Sequence, residues 1–236
     1  MCRNLRSFTF DMVAAVIVAA GMGKRFGPGT DKLFLEVAGR PVVAHTWLRF
    51  DRTSLIDEIV LVVRSGMEAA FQEIGNELEL TKPWRLAQGG QERQDSVWNG
   101  IAAVSPGVEI VAIQDGARPC TAAEVIEATI VAARDTGAAV AGQRVTDTLK
   151  ESGDGRWIDR TVDRSRLWSV QTPQTFRRDV IRRALEAVRV QGAHVTDDTA
   201  ACELIEQPVR LVESKSPNPK VTTPADLPFV RSLLEP

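Results

Sequence analysis

Residues 19–32 combine small side chains and cations in a way that suits a phosphate ligand. The segment reads Ala19-Ala20-Gly21-Met22-Gly23-Lys24-Arg25-Phe26-Gly27, with Lys32 shortly after it. Glycines let backbone N–H groups approach an anion, and Arg25 and Lys32 supply charge at the same loop. A structural turn would account for the glycines but not for the two cations. The segment is not a dinucleotide fingerprint, because Phe26 stands where that pattern wants glycine. Nor is it a Walker loop, since no Gly-Lys-Ser/Thr follows.

A loop of this kind works only at the end of a strand, and the sequence supplies one. The run VAAVIVA at 13–19 leads into it, and EIVLVV at 58–63 and EIVAIQ at 109–114 have the same β-branched, continuously apolar character. Such runs suit parallel strands covered on both faces. Between them, Pro41 opens a helical stretch to about Phe50, and Gln94 to Val104 places Val97, Ile101 and Val104 at helical spacing. Thr121-Ala-Ala-Glu124 reads as a capping box for a helix ending before Gly137, Val180 to Val190 is helical, and Thr223-Pro224-Ala-Asp226 starts a last helix. The βαβαβα order predicts an α/β fold with a doubly wound, mainly parallel sheet. We expect one domain over 12–236 and an N-terminal extension at 1–11.

Residues 144–168 break the alternation. They are rich in charge and contain the turn signal Gly153-Asp-Gly155 between two possible strands, which predicts a projecting β-arm. A hairpin alone in water is marginal, so the arm is expected to pack on a second copy of the chain as a homodimer.

Composition excludes several classes. Of 236 residues 44% are hydrophobic, enough for a full core, and 29 Lys and Arg against 31 Asp and Glu leave no field that would attract nucleic acid or an anionic membrane. Cys2, Cys120 and Cys202 lack metal or disulfide spacing and fit a reducing cytoplasm. His45 and His194 cannot build a multi-histidine metal site and are read as structural or surface residues. Arg3 and Arg6 before the apolar run imitate a signal peptide, but Asp11 and Lys24-Arg25 argue against one. No apolar run approaches the ~20 residues of a membrane span.

Ala-Ala-Gly-x-Gly-x-Arg followed by Lys32 resembles the signature of nucleotidyltransferases acting on sugar and polyol phosphates. Further segments narrow the resemblance: Gly89-Gly90-Gln-Glu-Arg93-Gln-Asp95-Ser96-Val97, Gln114-Asp115-Gly-Ala117-Arg118-Pro119, Thr161-Val162-Asp163-Arg164, Thr172-Pro173-Gln174, Thr196-Asp197-Asp198 and Lys220-Val221-Thr222. Together, across about residues 13–232, they are similar to the methylerythritol phosphate cytidylyltransferases of isoprenoid precursor synthesis. The resemblance implies CMP transfer from CTP to 2-C-methyl-D-erythritol 4-phosphate with Mg²⁺. It implies transition-state charge stabilisation by Arg25 and Lys32, and nucleotide contacts at Ala19, Ala20, Gly21, Gly23, Gly90, Ser96 and Asp115. Gln91 is given no base contact. Acceptor contacts fall on Thr148, Arg164, Thr172 and Lys220, with Arg164 and Lys220 counted as catalytic and Arg164 reaching the other subunit's site. Asp147 orders the arm or meets polyol hydroxyls.

The chemistry stands without the resemblance. A phosphate monoester has its second pKa near ~6, so at neutral pH it is already a nucleophile and needs no general base. That fits a chain with no Ser-His or Cys-His arrangement, and leaves the protein to align two anions and neutralise charge as pyrophosphate leaves. Asp115 ends a predicted strand, where open α/β sheets bind ligands, and suits Mg²⁺ brought by a nucleoside triphosphate. It equally suits a pair with Arg118 or a helix cap, and Ser96 likewise could be a cap rather than a base contact. Rival readings are another acceptor such as ribitol 5-phosphate, a nicotinamide-dependent oxidoreductase, and a catalytically silent nucleotide-binding regulator.

Overall fold

The computed structural model describes residues 11–21, 26 and 31–235. Strand β1 (Met12–Ala19) is followed by the short antiparallel pair β2 (Glu36–Val37) and β3 (Arg40–Pro41), then α1 (Val42–Asp51), β4 (Glu58–Val63), α2 (Glu68–Glu77), β5 (Trp84–Gln88) and α3 (Arg93–Ala103). The second half runs β6 (Val108–Asp115), α4 (Ala123–Thr136), β7 (Ala138–Arg144), β8 (Leu149–Glu151), β9 (Arg160–Val162), β10 (Trp168–Arg177), α5 (Arg178–Gln191), α6 (Asp198–Glu203), β11 (Arg210–Glu213) and α7 (Leu227–Leu234).

Seven strands form one sheet in the order β11-β7-β10-β6-β1-β4-β5. All its pairings are parallel except those of β10, which runs antiparallel to both β6 and β7. The doubly wound, mainly parallel sheet is therefore observed, with one reversed strand that the sequence pattern did not predict. From β1 the chain steps outward to β4 and β5, then returns through α3 to β6 on the other side of β1. The crevice at the carboxyl ends of β1 and β6 is where this topology binds ligands.

The predicted strands are apolar throughout because both faces are covered. Val13, Ala15, Ile17 and Ala19 of β1 join one core with Trp47, Phe50 and Phe71, while Ala14 and Val16 join another with Val97, Ile101 and Leu185. Burying a side chain such as Ile17 contributes roughly 1.5–3 kcal/mol, so each strand is held by both layers.

Helix α4 ends before Gly137 as expected, with that residue at φ 89°. Its start differs from expectation. Ala122 is the N-cap and makes no side-chain cap, because the Thr121 hydroxyl is buried, accepting from Gln114 Nε2 at 3.0 Å and meeting Asn218 Oδ1 at 3.1 Å. The Thr223–Asp226 capping box forms and opens a 3-10 turn leading into α7.

The projecting segment is a hairpin, with Leu149–Glu151 paired to Arg160–Val162. Its base continues the main sheet: Arg144 pairs with Trp168 across β7 and β10, and the Arg144 guanidinium lies 4.6 Å above the Trp168 ring. At the tip, the Asp154 carboxylate accepts from the amides of Arg156 and Trp157 at 2.8 and 3.0 Å.

Candidate active site

Three strand ends build the cleft. After β1, Ala19 is buried behind the surface and Ala20 and Gly21 emerge. After β6, the Gly116 amide donates to the Val18 carbonyl at 2.9 Å, which ties the Asp115 turn to β1. After β5, the Gly89 amide donates to Val63 at 2.8 Å and the Gly90 amide to Ser96 Oγ at 3.1 Å. A Cβ at Gly90 would lie 2.2 Å from that of Asp95, so only glycine fits there. Ser96 does not cap α3; Glu92 and Asp95 form its capping box, and the buried Ser96 hydroxyl holds the glycine turn against the helix.

Of the residues singled out in the sequence, Ala20, Gly21, Lys32, Gly90, Ser96, Asp115 and Lys220 line one cavity. Arg25 and Gly23 lie outside the described residues. Lys32 Nζ donates to the Val221 carbonyl at 2.7 Å, and the Val221 amide donates to Ala117 at 2.9 Å. The loop after β1, the turn after β6 and the 220–222 segment are thereby knitted together. Thr172 sits directly behind Asp115, where its buried hydroxyl accepts the Asp115 amide at 3.1 Å. Thr148 and Arg164 do not line this cavity. They lie together on the exposed arm, where Arg164 donates to the Thr146 carbonyl and to Thr148 Oγ1.

Asp115 is the electrostatic centre. Lys220 Nζ is 2.9 Å and Arg118 Nε 3.3 Å from its Oδ2, and Arg93 Nε is 3.8 Å from Oδ1. Burial pushes this carboxyl up, but Lys220, Arg93 and Arg118 outweigh it and hold it at about 2. The pair with Arg118 foreseen from the sequence exists, as one of three. Lys220 and Arg118 engage Oδ2 and Arg93 stands near Oδ1, so Asp115 is a charged carboxylate in the cleft wall, of the oxygen type that could give a single ligand to a cation drawing the rest from a polyphosphate. No cluster of three or more His, Cys, Asp or Glu that could form a protein-built metal cage occurs among the described residues.

Arg93 and Asp198 belong to the family-like motifs but carry no role legible in the sequence. In the structure Arg93 Nη2 lies 2.8 Å from Asp198 Oδ2, whose side chain is 1% exposed. Burial pushes the Asp198 carboxyl up and Arg93 opposes it, while the carboxylates around Arg93 keep its guanidinium firmly charged. Gln174 completes the support: its Oε1 accepts the Asp198 amide and its Nε2 donates to Asp197, both at 2.9 Å. The visible signal was Arg93 beside the Gly89-Gly90 turn. Its partner lies 105 residues away and could not be read from spacing.

The remaining candidates for other chemistry are inert. The Cys120 and Cys202 thiols are buried and pushed up to about 11 and about 12 by burial. His45 Nε2 is 2.6 Å from the Val37 carbonyl, and His194 is exposed on the surface.

Lysines on a glycine-lined cleft at the switch point of a mainly parallel sheet, with no nucleophile and base hydrogen-bonded together among the described residues of the cleft, suit the transfer of a group already activated as a phosphoanhydride. The fold and site define a nucleotidyltransferase. Residues 13–235 match the family described as IspD, 2-C-methyl-D-erythritol 4-phosphate cytidylyltransferase. The protein of that name from Geobacillus kaustophilus is 41% identical over 220 residues, 93% of this chain and 96% of that one. Its counterpart from Symbiobacterium thermophilum is 42% identical over 223 residues, 94% of this chain and 93% of that one. Among solved structures, the 4-diphosphocytidyl-2C-methyl-D-erythritol synthase of Anaerococcus prevotii aligns with a TM-score of 0.85 at 30% identity, covering 96% of this chain and 100% of that one. The chain belongs to the 2-C-methyl-D-erythritol 4-phosphate cytidylyltransferase family and is a cytidylyltransferase.

Proposed function

We propose that the chain transfers CMP from CTP to 2-C-methyl-D-erythritol 4-phosphate through the cleft between β1 and β6, with Lys220 at the point of transfer. One observation carries the assignment of Lys220: it lines both the cleft that holds Lys32 and Asp115 and a second cavity beyond, bounded by Arg118, Gln171 and Asn218. The donor occupies the first and the acceptor approaches from the side of the second. A phosphate oxygen of the acceptor attacks the α-phosphorus of CTP, the bond to the bridging oxygen of the β-phosphate breaks, and pyrophosphate leaves with that electron pair. The products are 4-diphosphocytidyl-2-C-methyl-D-erythritol and pyrophosphate, the reaction of the non-mevalonate route to isoprenoid precursors.

Lys32, Lys220 and Arg25 neutralise the phosphates as charge moves to the leaving group. Asp115 fixes the Lys220 ammonium, and its carboxylate would contribute one ligand to Mg²⁺ carried by the triphosphate. That ion supplies charge neutralisation on the phosphates. Ala19, Ala20, Gly21, Gly23, Gly90 and Ser96 enclose the nucleoside end, and Thr172 holds the Asp115 backbone under the acceptor phosphate.

The arm completes the site in a homodimer. Trp157 and Ile158 at its tip are 77% and 66% exposed, apolar area that a second copy would cover. Arg164 and Thr148 on the same arm then meet the acceptor in the partner's cleft. The reading places the reaction in the cytoplasm, in line with thiols kept reduced. No helix among the described residues is long and apolar enough to cross a membrane.

The direct test is pyrophosphate release with Mg²⁺ and CTP, with and without methylerythritol phosphate, beside ATP, GTP, UTP and ribitol 5-phosphate. Release should require CTP and methylerythritol phosphate together. Release with ribitol phosphate instead would move the acceptor, and silence with every pair would sink the assignment. The dimeric site predicts that mixing inactive Arg164→Ala and Lys32→Ala chains restores about a quarter of wild-type activity, since half the dimers are mixed and each holds one intact site. Mixed dimers that demonstrably form yet stay dead would overturn the shared site.

A further inference from the structure

The residues that flank positions 22–30 are held by a single guanidinium. Arg64 follows the last residue of β4, and that residue, Val63, is in register with Ala19 of β1. Its Nη1 donates to the Gly21 carbonyl at 3.1 Å, and its Nη2 to Asp31 Oδ2 at 2.6 Å. Asp31 is itself built into the turn that carries Lys32: Oδ1 accepts the Leu33 amide and its carbonyl accepts the Phe34 amide, both at 3.1 Å. The pair is largely shielded, at 23% and 15% side-chain exposure. A charge-assisted, two-point contact of this kind fixes geometry as well as adding energy. Arg64 is not among the residues that line the cleft, so its reach is through Gly21 and Asp31 rather than to substrate.

We propose that Arg64 is a positioning residue for the donor side of the site. By holding Gly21 and Asp31 at a set separation, it sets where the Gly21 backbone and the Lys32 ammonium stand relative to the triphosphate. Nothing in the glycine-rich pattern points to it, because it lies on the neighbouring strand. The inference rests on the nucleotidyl-transfer reading and deepens it. A misplacement of about 1 Å at a reacting group can cost about 10²-fold in rate, and losing one of several anchors here should cost a fraction of that.

The experiment is steady-state kinetics of Arg64→Leu, Arg64→Lys and Asp31→Asn, with CTP affinity by calorimetry and Tm for each. Arg64→Leu should raise KM for CTP about tenfold and lower kcat about tenfold, and leave KM for the acceptor within about twofold. Arg64→Lys, which keeps the charge and one of the two contacts, should recover part of the loss. The double variant Arg64→Leu/Asp31→Asn should be no worse than the worse single one, because both remove the same brace. The proposal is overturned if Arg64→Leu leaves the CTP parameters unchanged, if the acceptor KM moves as much as that for CTP, or if the two substitutions simply multiply. A wild-type chain silent with CTP and acceptor would instead remove the transferase reading. The brace is then decided by whether Arg64→Leu weakens CTP binding in the calorimeter.

Discussion

Replacing Lys220 by alanine is expected to lower kcat by ~10² to 10³ while the fold stays intact, the loss typical of a removed transition-state donor. The ammonium sits where two cavities meet and is 37% exposed, so little buried packing goes with it. Its partner Asp115 keeps Arg93 and Arg118, which limits the effect on stability. Arginine at this position would retain the charge but spread it over a planar fork, and should recover only part of the rate. Single-turnover pyrophosphate release separates the two ways of losing activity. A change confined to KM, with kcat untouched, would make Lys220 a ground-state binding group and refute its place at the point of transfer.

How much of this was visible beforehand depended on whether a feature is local. The runs at 13–19, 58–63 and 109–114 announced themselves within β1, β4 and β6 because a strand buried on both faces must be largely apolar. Strand β10 did not. It reads WSVQTPQTFR, and its buried Gln171, Thr172, Gln174 and Thr175 look like a loop until their hydrogen bonds to Gln143, Asp115, Asp197 and Thr129 are seen. Strand β7 reads AAVAGQR, rich in alanine and glycine that carry little β preference, and β5 is an edge strand with a mixed pattern. The site divides in the same way. Glycines and cations beside a strand end could be found along the chain, and Lys32, Gly90, Ser96, Asp115 and Lys220 do share one cavity. The braces that orient them, Arg93 to Asp198 between the starts of α3 and α6 and Arg64 to Asp31 between the end of β4 and the turn that carries Lys32, join residues that only the tertiary fold brings together.

Arg93→Ala tests the deeper of these braces, and its largest effect should be on stability. Asp198 is 1% exposed, and removing its guanidinium partner leaves a carboxylate buried without compensation. Breaking such a pair from one side costs roughly 3–5 kcal/mol, which urea denaturation would read as a lowered midpoint at an unchanged slope. The sign of its pH dependence follows from burial. With Arg93 gone, burial pushes the Asp198 carboxyl further above its ordinary 3.8, so the folded variant binds a proton that the unfolded chain has already released. Stability relative to wild type is therefore best below about pH 4 and declines as pH rises through the window up to the raised folded value. Adding Asp198→Asn removes the orphan charge and should return much of the stability and erase the pH dependence. Activity should stay low in the double variant, because Asp115 still lacks Arg93 and the Lys220 ammonium it holds is less firmly set. A stability loss that is the same at pH 4 and pH 8 would mean that Asp198 is not the charge Arg93 holds. Full activity in the rescued double variant would mean that Arg93 supports the fold and not the site.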